Sequence, residues 1–498
     1  MGMFVASPDN LQKSLDYLMT DSHDLVIVGI GSGGFGAALA ASRCGMRVLA
    51  IERAPQLGGN CVRAGVSVWE PGCGGTGIPF DVYCCLKTIP GAVGIYTMGR
   101  HCGWPEDGFY PGGESVIDPT RSYADTLVRA ANGELCRKTQ KAEMREVWHG
   151  VPFEPDVMAQ IMEDMLQETG RVTLRKETSV NAVDVGDGRI RSVTFRTGET
   201  VEAPVFIDAT GDGVLCDACG CKMMIGQESR SRFDEPSAPE EPTDCVNGVT
   251  LIFRVAPTDT PGIEPLPDGI PDACWWRKSF PVASVVAYPN GDLNMNVLPT
   301  MEGGEYIQLG PEVAYTECER RIRAAWHSYQ EALPEFQQLR ISWIAPELGV
   351  RETRRVVGEY VLTQHDLSAG LAGQDHSDII ALADHPMDTH GCQGKGCRGV
   401  TSAYGIPYRC LIPKGMRNLL VACRSASFSS LAASSCRLSR TMLQLGQAAG
   451  TAVALAREMG CDAPDVPSAR LRCELRNQHV ALEHPMPPEL QAYIAAGG

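Results

Sequence analysis

Apolar residues run without interruption through Leu25-Val26-Ile27-Val28, the pattern of a short strand covered on both faces. The run ends in glycines. Phe35 to Cys44 then carries small residues suited to a closely packed helix, and Arg47 to Ile51 is a second apolar run. Together they predict a strand–helix–strand unit with a parallel crossover. Farther along, Val157, Ile161, Met162 and Met165 recur at helical spacing, so Pro155 to Thr169 reads as a helix with proline in its first turn. Strands are expected at Val172–Leu174 and Ser179–Val185. A hairpin is expected from Ile190–Phe195 and Glu199–Ala203 around Thr197-Gly198, and another strand at Val205–Ala209. Residues 227–245 are polar, acidic and proline-rich and read as a loop or a linker between domains. Beyond it, strands are expected at Val249–Val255 and Asp292–Val297, and helices at Val313–Tyr329 and Met442–Met459. Residues 60–150 and 364–407 read as irregular, and residues 1–23 as a leader helix or arm.

The first glycines carry a phosphate-binding pattern. Gly29-Ile30-Gly31-Ser32-Gly33-Gly34 fits G-x-G-x-x-G between the first strand and its helix. Gly29 permits the tight turn, Gly31 admits a pyrophosphate beside the backbone, and Gly34 lets helix and strand pack closely. The helix N-terminus would face the phosphates. Glu52 ends the second strand, where a carboxylate can accept from ribose hydroxyls.

Composition narrows the class. Asp and Glu outnumber Lys and Arg by 60 to 44, a formal charge of −16. That disfavours nucleic acid and anionic membrane surfaces as partners. The 44% apolar content is ordinary for a globular chain. Twenty cysteines are unusual, but the chain is long and shows no signal-peptide pattern, so they read mostly as free thiols in a reducing, cytoplasmic setting. The stretch after Leu25 is broken by glycines and arginines and does not read as a membrane span.

Longer motifs choose the nucleotide. Glu52-Arg53 followed by Gly58-Gly59-Asn60 resembles the extended FAD signature of the glutathione-reductase-like flavoprotein superfamily. Ala209-Thr210-Gly211-Asp212 resembles its second motif, and Val180 stands where such proteins meet adenine through the backbone. Gly349–Tyr360, Asn418–Arg424 and Leu445–Gly450, the last including Gly446 and Gln447, resemble blocks of the FAD-dependent oxidoreductase family. The resemblance covers most of residues 24–460. It implies non-covalent FAD and an α/β fold in which a discontinuous Rossmann-type FAD-binding domain (24–226 and 401–460) carries an inserted α+β substrate or cap domain (227–400). A tail follows at 461–498. It also implies a small-molecule substrate and an electron acceptor of unknown kind, and is compatible with a homo-oligomer. A second dinucleotide fingerprint is not evident, so NAD(P)H has no obvious site of its own.

Candidate chemistry gathers late in the chain. His385-Pro386-Met387-Asp388-Thr389-His390 resembles a flavin-proximal P-x-D-x-H block. His390 is expected to move the substrate proton with Asp388 orienting it, and His385 stands in reserve. Arg351, beside Arg354 and Arg355, could clamp an anion or support reduced flavin, or simply pair with nearby glutamates. Cys61 occupies the first cysteine position of the redox-disulfide segment of glutathione-reductase-type enzymes, but Val66 stands at the second. Cys216, Cys219 and Cys221, with Cys392 and Cys397, admit an iron–sulfur or zinc alternative and an electron-transfer role, although their spacing lacks a four-cysteine run. No metal is expected.

Overall fold

The computed structural model describes residues 23–97, 100–102, 115–129, 148–271, 274–276, 283–391, 396–400 and 402–497. The expected leader, Cys392 and the side chain of Cys397 lie outside the described residues.

Five short strands make a parallel sheet in the spatial order Leu419–Val421, Val205–Asp208, Leu25–Val28, Val48–Ile51, Val172–Arg175. Leu25, Val26 and Ile27 at its centre are wholly buried, which is why their run is unbroken by polar residues. The Ser32–Arg43 helix crosses one face and packs along the Ser439–Met459 helix. A Cβ added to Gly446 would stand 2.0 Å from the Gly33 carbonyl oxygen, and one on Gly450 2.3 Å from that of Ala37. The two backbones therefore touch, and glycine and alanine are the residues that permit it. On the sheet's flank, Val180–Gly186, Arg189–Phe195 and Thr200–Glu202 form an antiparallel three-stranded sheet.

A second sheet is antiparallel, in the order Leu339–Ile344, Ile252–Pro257, Leu293–Val297, Ala283–Ala287, Arg100–Cys102. The Pro311–Ala332 helix covers it, burying Ala314, Cys318, Ile322 and Trp326 in a core separate from that of the parallel sheet. The edge strand Arg100–Cys102 comes from ahead of the segment expected as the insert.

One segment departs from the expectation, and another holds buried acids within an exposed loop. Residues 227–245 are mostly exposed and irregular apart from Arg230–Phe233, but two of their acids are buried: Glu228 faces Arg355 at 3.0 Å, and Glu235 accepts from the Gln364 amide at 2.7 Å. Asp234, Glu240, Glu241 and Asp244 stay exposed, so internal pairing accounts for Glu228 and Glu235 alone. The described residues of 364–407 form regular elements. The Gln364–Gly373 helix begins at a capping box of Thr363 and Asp366, and Ile379–Ala383 pairs antiparallel with Tyr404–Pro407. These elements are too short for periodicity to reveal. The strand expected at 249–255 is shifted to Ile252–Pro257. The tail folds into Ser468–Asn477 and Pro488–Gly497, which bury Leu471, Leu475 and Ile494.

Candidate active site

A cavity of about 780 Å³ opens where the parallel strands end, bounded by Val28, Ile51, Ala209 and Cys423 and reaching across to Ile252 and Asn296 of the second sheet. One half is built from glycine turns. Gly29 turns the chain at φ +87°, and a Cβ there would meet the Ala209 carbonyl at 2.6 Å. Gly31 caps the Ser32–Arg43 helix without any side-chain cap bond, and the first helical bond runs from the Phe35 amide to the Gly31 oxygen at 2.9 Å. The amides of Ser32, Gly33 and Gly34 thus have no partner within the helix. A Cβ on Gly31 would find no atom nearer than Gly59 Cα at 3.9 Å, so open space lies at the helix end. Gly34 is different: its Cβ would stand 1.8 Å from the Gly29 oxygen, the close packing expected of the third glycine.

Two carboxylates fix the turns. Glu52 accepts from the amides of Ile30 at 2.7 Å and Ala54 at 2.9 Å, and burial raises its pKa. It also borders the cavity, where its oxygens keep lone pairs for a ribose. Asp208, at the end of the strand before Ala209, accepts from Thr210 Oγ1 at 2.7 Å and the Leu215 amide at 2.8 Å. It thereby sets Thr210, Gly211 and Asp212 on the wall. Asp212 in turn meets Arg424 at 2.9 Å and Thr353 Oγ1 at 2.8 Å, and its pKa stays low because these partners outweigh burial.

Of the residues expected to hold cofactor, Gly29, Gly31, Ser32, Gly33, Glu52, Arg53, Gly59, Asn60, Val180, Ala209, Thr210, Gly211, Asp212 and Arg424 all line this cavity. Gly34, Gly58, Gly446 and Gln447 stand outside its lining. Gly58 shapes the turn at φ +95°, Gly446 serves helix packing, and Gln447 accepts from the Ile78 amide at 3.0 Å.

The other half of the cavity is charged. Glu70, Asp384, His385, Arg351, Arg437 and Arg440 reach its lining. His385 Nε2 lies 3.2 Å from Glu70 Oε2, and its Nδ1 lies 2.6 Å from the Pro386 oxygen. Burial would raise the Glu70 pKa, but the hydrogen bond and charge of His385, with Arg129, hold it at about 2. His390 and Asp388 stand just outside the lining. His390 Nε2 is 2.6 Å from Asp388 Oδ2, and Arg437 donates to the Asp388 carbonyl at 2.9 Å. Burial and then Arg351 lower the His390 pKa, and Asp388 opposes them. Sequence reading missed Glu70, Asp384, Arg437 and Arg440. The Arg437-Leu438-Ser439-Arg440 stretch, two arginines amid small buried residues at a helix start, was the available signal.

The cysteine candidates are placed differently. Cys61 is buried outside the lining, donates to the Gly58 oxygen at 3.0 Å, and has its thiol pushed up to about 11 by burial. Cys216 hydrogen-bonds Cys221 behind the Asp208 turn. No group of three or more metal-ligating side chains stands together among the described residues. Cys245 is in a disulfide, whereas the other cysteines whose side chains are described are free thiols. No described helix is long and apolar enough to cross a membrane.

The sequence profile of the family described as FAD dependent oxidoreductase matches residues 24–475. The chain belongs to that family. That family is one of FAD-dependent oxidoreductases, and the chain's fold is α/β of Rossmann type with a further domain. Curated relatives match only locally. Dihydrolipoyl dehydrogenase from Manduca sexta is 44% identical over 52 residues, 10% of each chain. A 3-oxosteroid 1-dehydrogenase from Mycolicibacterium smegmatis is 40% identical over 55 residues, 11% of this chain and 10% of that one. These matches thus span about a tenth of each relative's length. Among solved structures, a geranylgeranyl bacteriochlorophyll reductase-like protein from Thermoplasma acidophilum aligns over 95% of this chain and 96% of its own at 12% identity and a TM-score of 0.42. L-proline dehydrogenase from P. horikoshii aligns over 88% and 94% at 11% identity and a TM-score of 0.41.

The residues present fit FAD. The uncapped helix end with its open space at Gly31 suits a pyrophosphate, and Glu52 suits a ribose.

Proposed function

We propose that this oxidoreductase moves hydride between a small hydroxylated compound, a carbocycle or sugar-like molecule, and flavin N5. FAD supplies the hydride acceptor or donor when bound. The chain's own contribution is to hold the substrate in the charged half of the cavity and to manage its hydroxyl proton. Residues 24–226 and 401–460 form the FAD-binding domain in this reading, and 227–400 the substrate domain.

The observation that carries it is the His390–Asp388 pair at 2.6 Å. Asp388 orients the ring by holding Nε2–H, which leaves Nδ1 as the basic nitrogen. Burial and Arg351 keep the ring neutral near pH 7, the state a general base needs. A second reading gives the proton to His385, favoured by its place on the cavity wall beside Glu70. Anaerobic bleaching of the flavin by a library of alcohols tests both. An alcohol that bleaches wild type, with the rate lost in His390→Ala and kept in His385→Ala, supports the first. The reverse pattern selects the second. Bleaching by no alcohol overturns the hydroxylated-substrate reading.

A further inference from the structure

The charges around the inner half of the cavity are unevenly paired. Glu70 is met by His385 at 3.2 Å and Arg129 at 3.5 Å. Asp384 is met by Arg129 at 3.4 Å and by the Cys73 amide at 3.0 Å. Arg440 spends its donors on Thr126 Oγ1 and the carbonyls of Glu70, Gly72 and Thr126. Two arginines remain. Arg351 bonds through Nη1 alone, to the Gly248 oxygen at 2.8 Å and Thr250 Oγ1 at 2.6 Å. No carboxylate lies within ion-pair distance of it among the described residues. Arg437 bonds through Nη2 alone, to the Asp388 carbonyl, with the Asp388 carboxylate at 3.7 Å. Its Nε is buried without a hydrogen-bond partner.

Both guanidiniums line the cavity. They are close enough to repel, and burial with that repulsion brings the Arg351 pKa down to about 10. The carboxylate of Asp388, 3.7 Å from Arg437, gives Oδ2 to His390 at 2.6 Å, and its Oδ1 is buried without a hydrogen-bond partner. Two desolvated cations with free donors, facing one carboxylate already paired with His390, form a site short of one negative charge. In a chain of net charge −16 such a site is not a general feature of the surface.

We propose that the substrate carries a carboxylate, and that Arg351 and Arg437 hold it at the inner end of the cavity. Resting on the hydride-transfer reading above, this makes the substrate a small hydroxylated organic acid. Its carboxylate engages the free donors of the two arginines, and its hydroxyl-bearing carbon is held on the histidine side. Guanidinium suits this task because its planar fork matches a carboxylate.

Binding to the FAD-loaded enzyme, read by the flavin difference spectrum and Trp69 fluorescence, tests it without turnover. The probes are acetate and benzoate with their neutral counterparts acetamide and benzamide. The carboxylates should bind and the amides should not. Arg351→Gln and Arg437→Gln should each weaken benzoate by about tenfold or more, the scale of one lost charge-assisted bond. Arg351→Lys should recover part of the loss. Flavin content and melting temperature, measured on each variant, identify any that fails to fold, and the Lys variant then carries the test. Equal binding of benzamide and benzoate overturns the proposal. So does unchanged benzoate binding in both Gln variants, or an Arg351→Gln effect confined to the flavin potential. Failure of the hydride-transfer reading shows separately, as absence of bleaching by any alcohol while benzoate still binds.

Discussion

His390 Nε2 stands 2.6 Å from Asp388 Oδ2, while the His390 amide donates to Asn247 Oδ1 at 2.9 Å. Asn247 is held in turn by Glu352, whose Oε2 accepts from its amide and its Nδ2, both at 3.0 Å. The ring and its backbone are thus fixed from two sides. His390→Ala should keep flavin and fold yet lose about 10²–10⁴-fold in the reductive half-reaction, the range of general acid–base help. Asp388→Asn should lose less, because an amide still positions the ring. The pH profile follows from the shift. A base works when deprotonated, and burial lowers the His390 pKa. The bleaching rate should therefore rise with pH through a midpoint below ~6.5 and be flat above it. A stopped-flow midpoint above that value, or an unchanged rate in His390→Ala, contradicts the assignment.

Gly31 and Gly33 make a contrasting pair. A Cβ on Gly31 meets nothing of the protein closer than 3.9 Å, whereas one on Gly33 would stand 1.7 Å from the Ala422 oxygen. Gly31→Val should leave an apoprotein with near-normal melting temperature and almost no flavin, because the side chain fills space a pyrophosphate would take. Gly33→Val should damage the fold itself. Absorbance at the flavin bands and thermal melting separate the two. Gly31→Val purified with stoichiometric flavin would remove the basis for the site. Acid precipitation should release the wild-type FAD, as expected of a non-covalent cofactor.

These glycines also mark what the sequence disclosed. The 25–52 unit was legible because the buried strand, the glycine turn and the terminal Glu52 lie within one short stretch and each obeys a local rule. The Ser439–Met459 helix was expected over Met442–Met459, three residues short at its start. The charged half of the cavity was legible only at Arg351 and His385. Glu70, Asp384, Arg351 and Arg437 come from four separate segments, and no local pattern records that they meet. His385 and His390 were found only through a motif resemblance, and the order of the segment around them was missed. Its strands are three to five residues long, and the capping box of Thr363 and Asp366 was overlooked. In 227–245 composition did not reveal that Glu228 and Glu235 are buried, because buried glutamates look the same in composition as the exposed Glu240 and Glu241 beside them.

Arg355 shows the cost of that arrangement. It is 1% exposed and lies 3.0 Å from Glu228 and 3.1 Å from Glu352, both also buried. Arg355→Met would leave two carboxylates in the interior without their cation. Breaking a buried pair in this way costs about 3–5 kcal/mol. Chemical denaturation should show a loss of that size. Adding Glu228→Gln to Arg355→Met should restore part of it, since one uncompensated charge is removed. A loss under about 1 kcal/mol in the single variant would mean that the network is hydrated and weak.

Cys61 provides the sharpest separation between hydride transfer and thiol chemistry. Its position matches the first cysteine of a redox pair, so the sequence alone leaves that chemistry open. In the fold the thiol donates to the Gly58 oxygen at 3.0 Å, is 1% exposed, and is pushed up to about 11 by burial. With that value, roughly one thiol in 10⁴ is ionised at pH 7, and it is the thiolate that attacks. The second cysteine position holds Val66, which borders the cavity and has no sulfur to complete a disulfide. Cys61→Ala should therefore keep flavin content and turnover within about twofold of wild type. Iodoacetamide at pH 7 should leave wild-type bleaching unchanged, even though exposed thiols such as Cys44 and Cys473 are modified. If Cys61→Ala instead abolished turnover while retaining flavin, and dithiothreitol produced a long-wavelength thiolate–flavin absorbance in wild type alone, electrons would be passing through sulfur. The proton-transfer role assigned to His390 would then have to be abandoned.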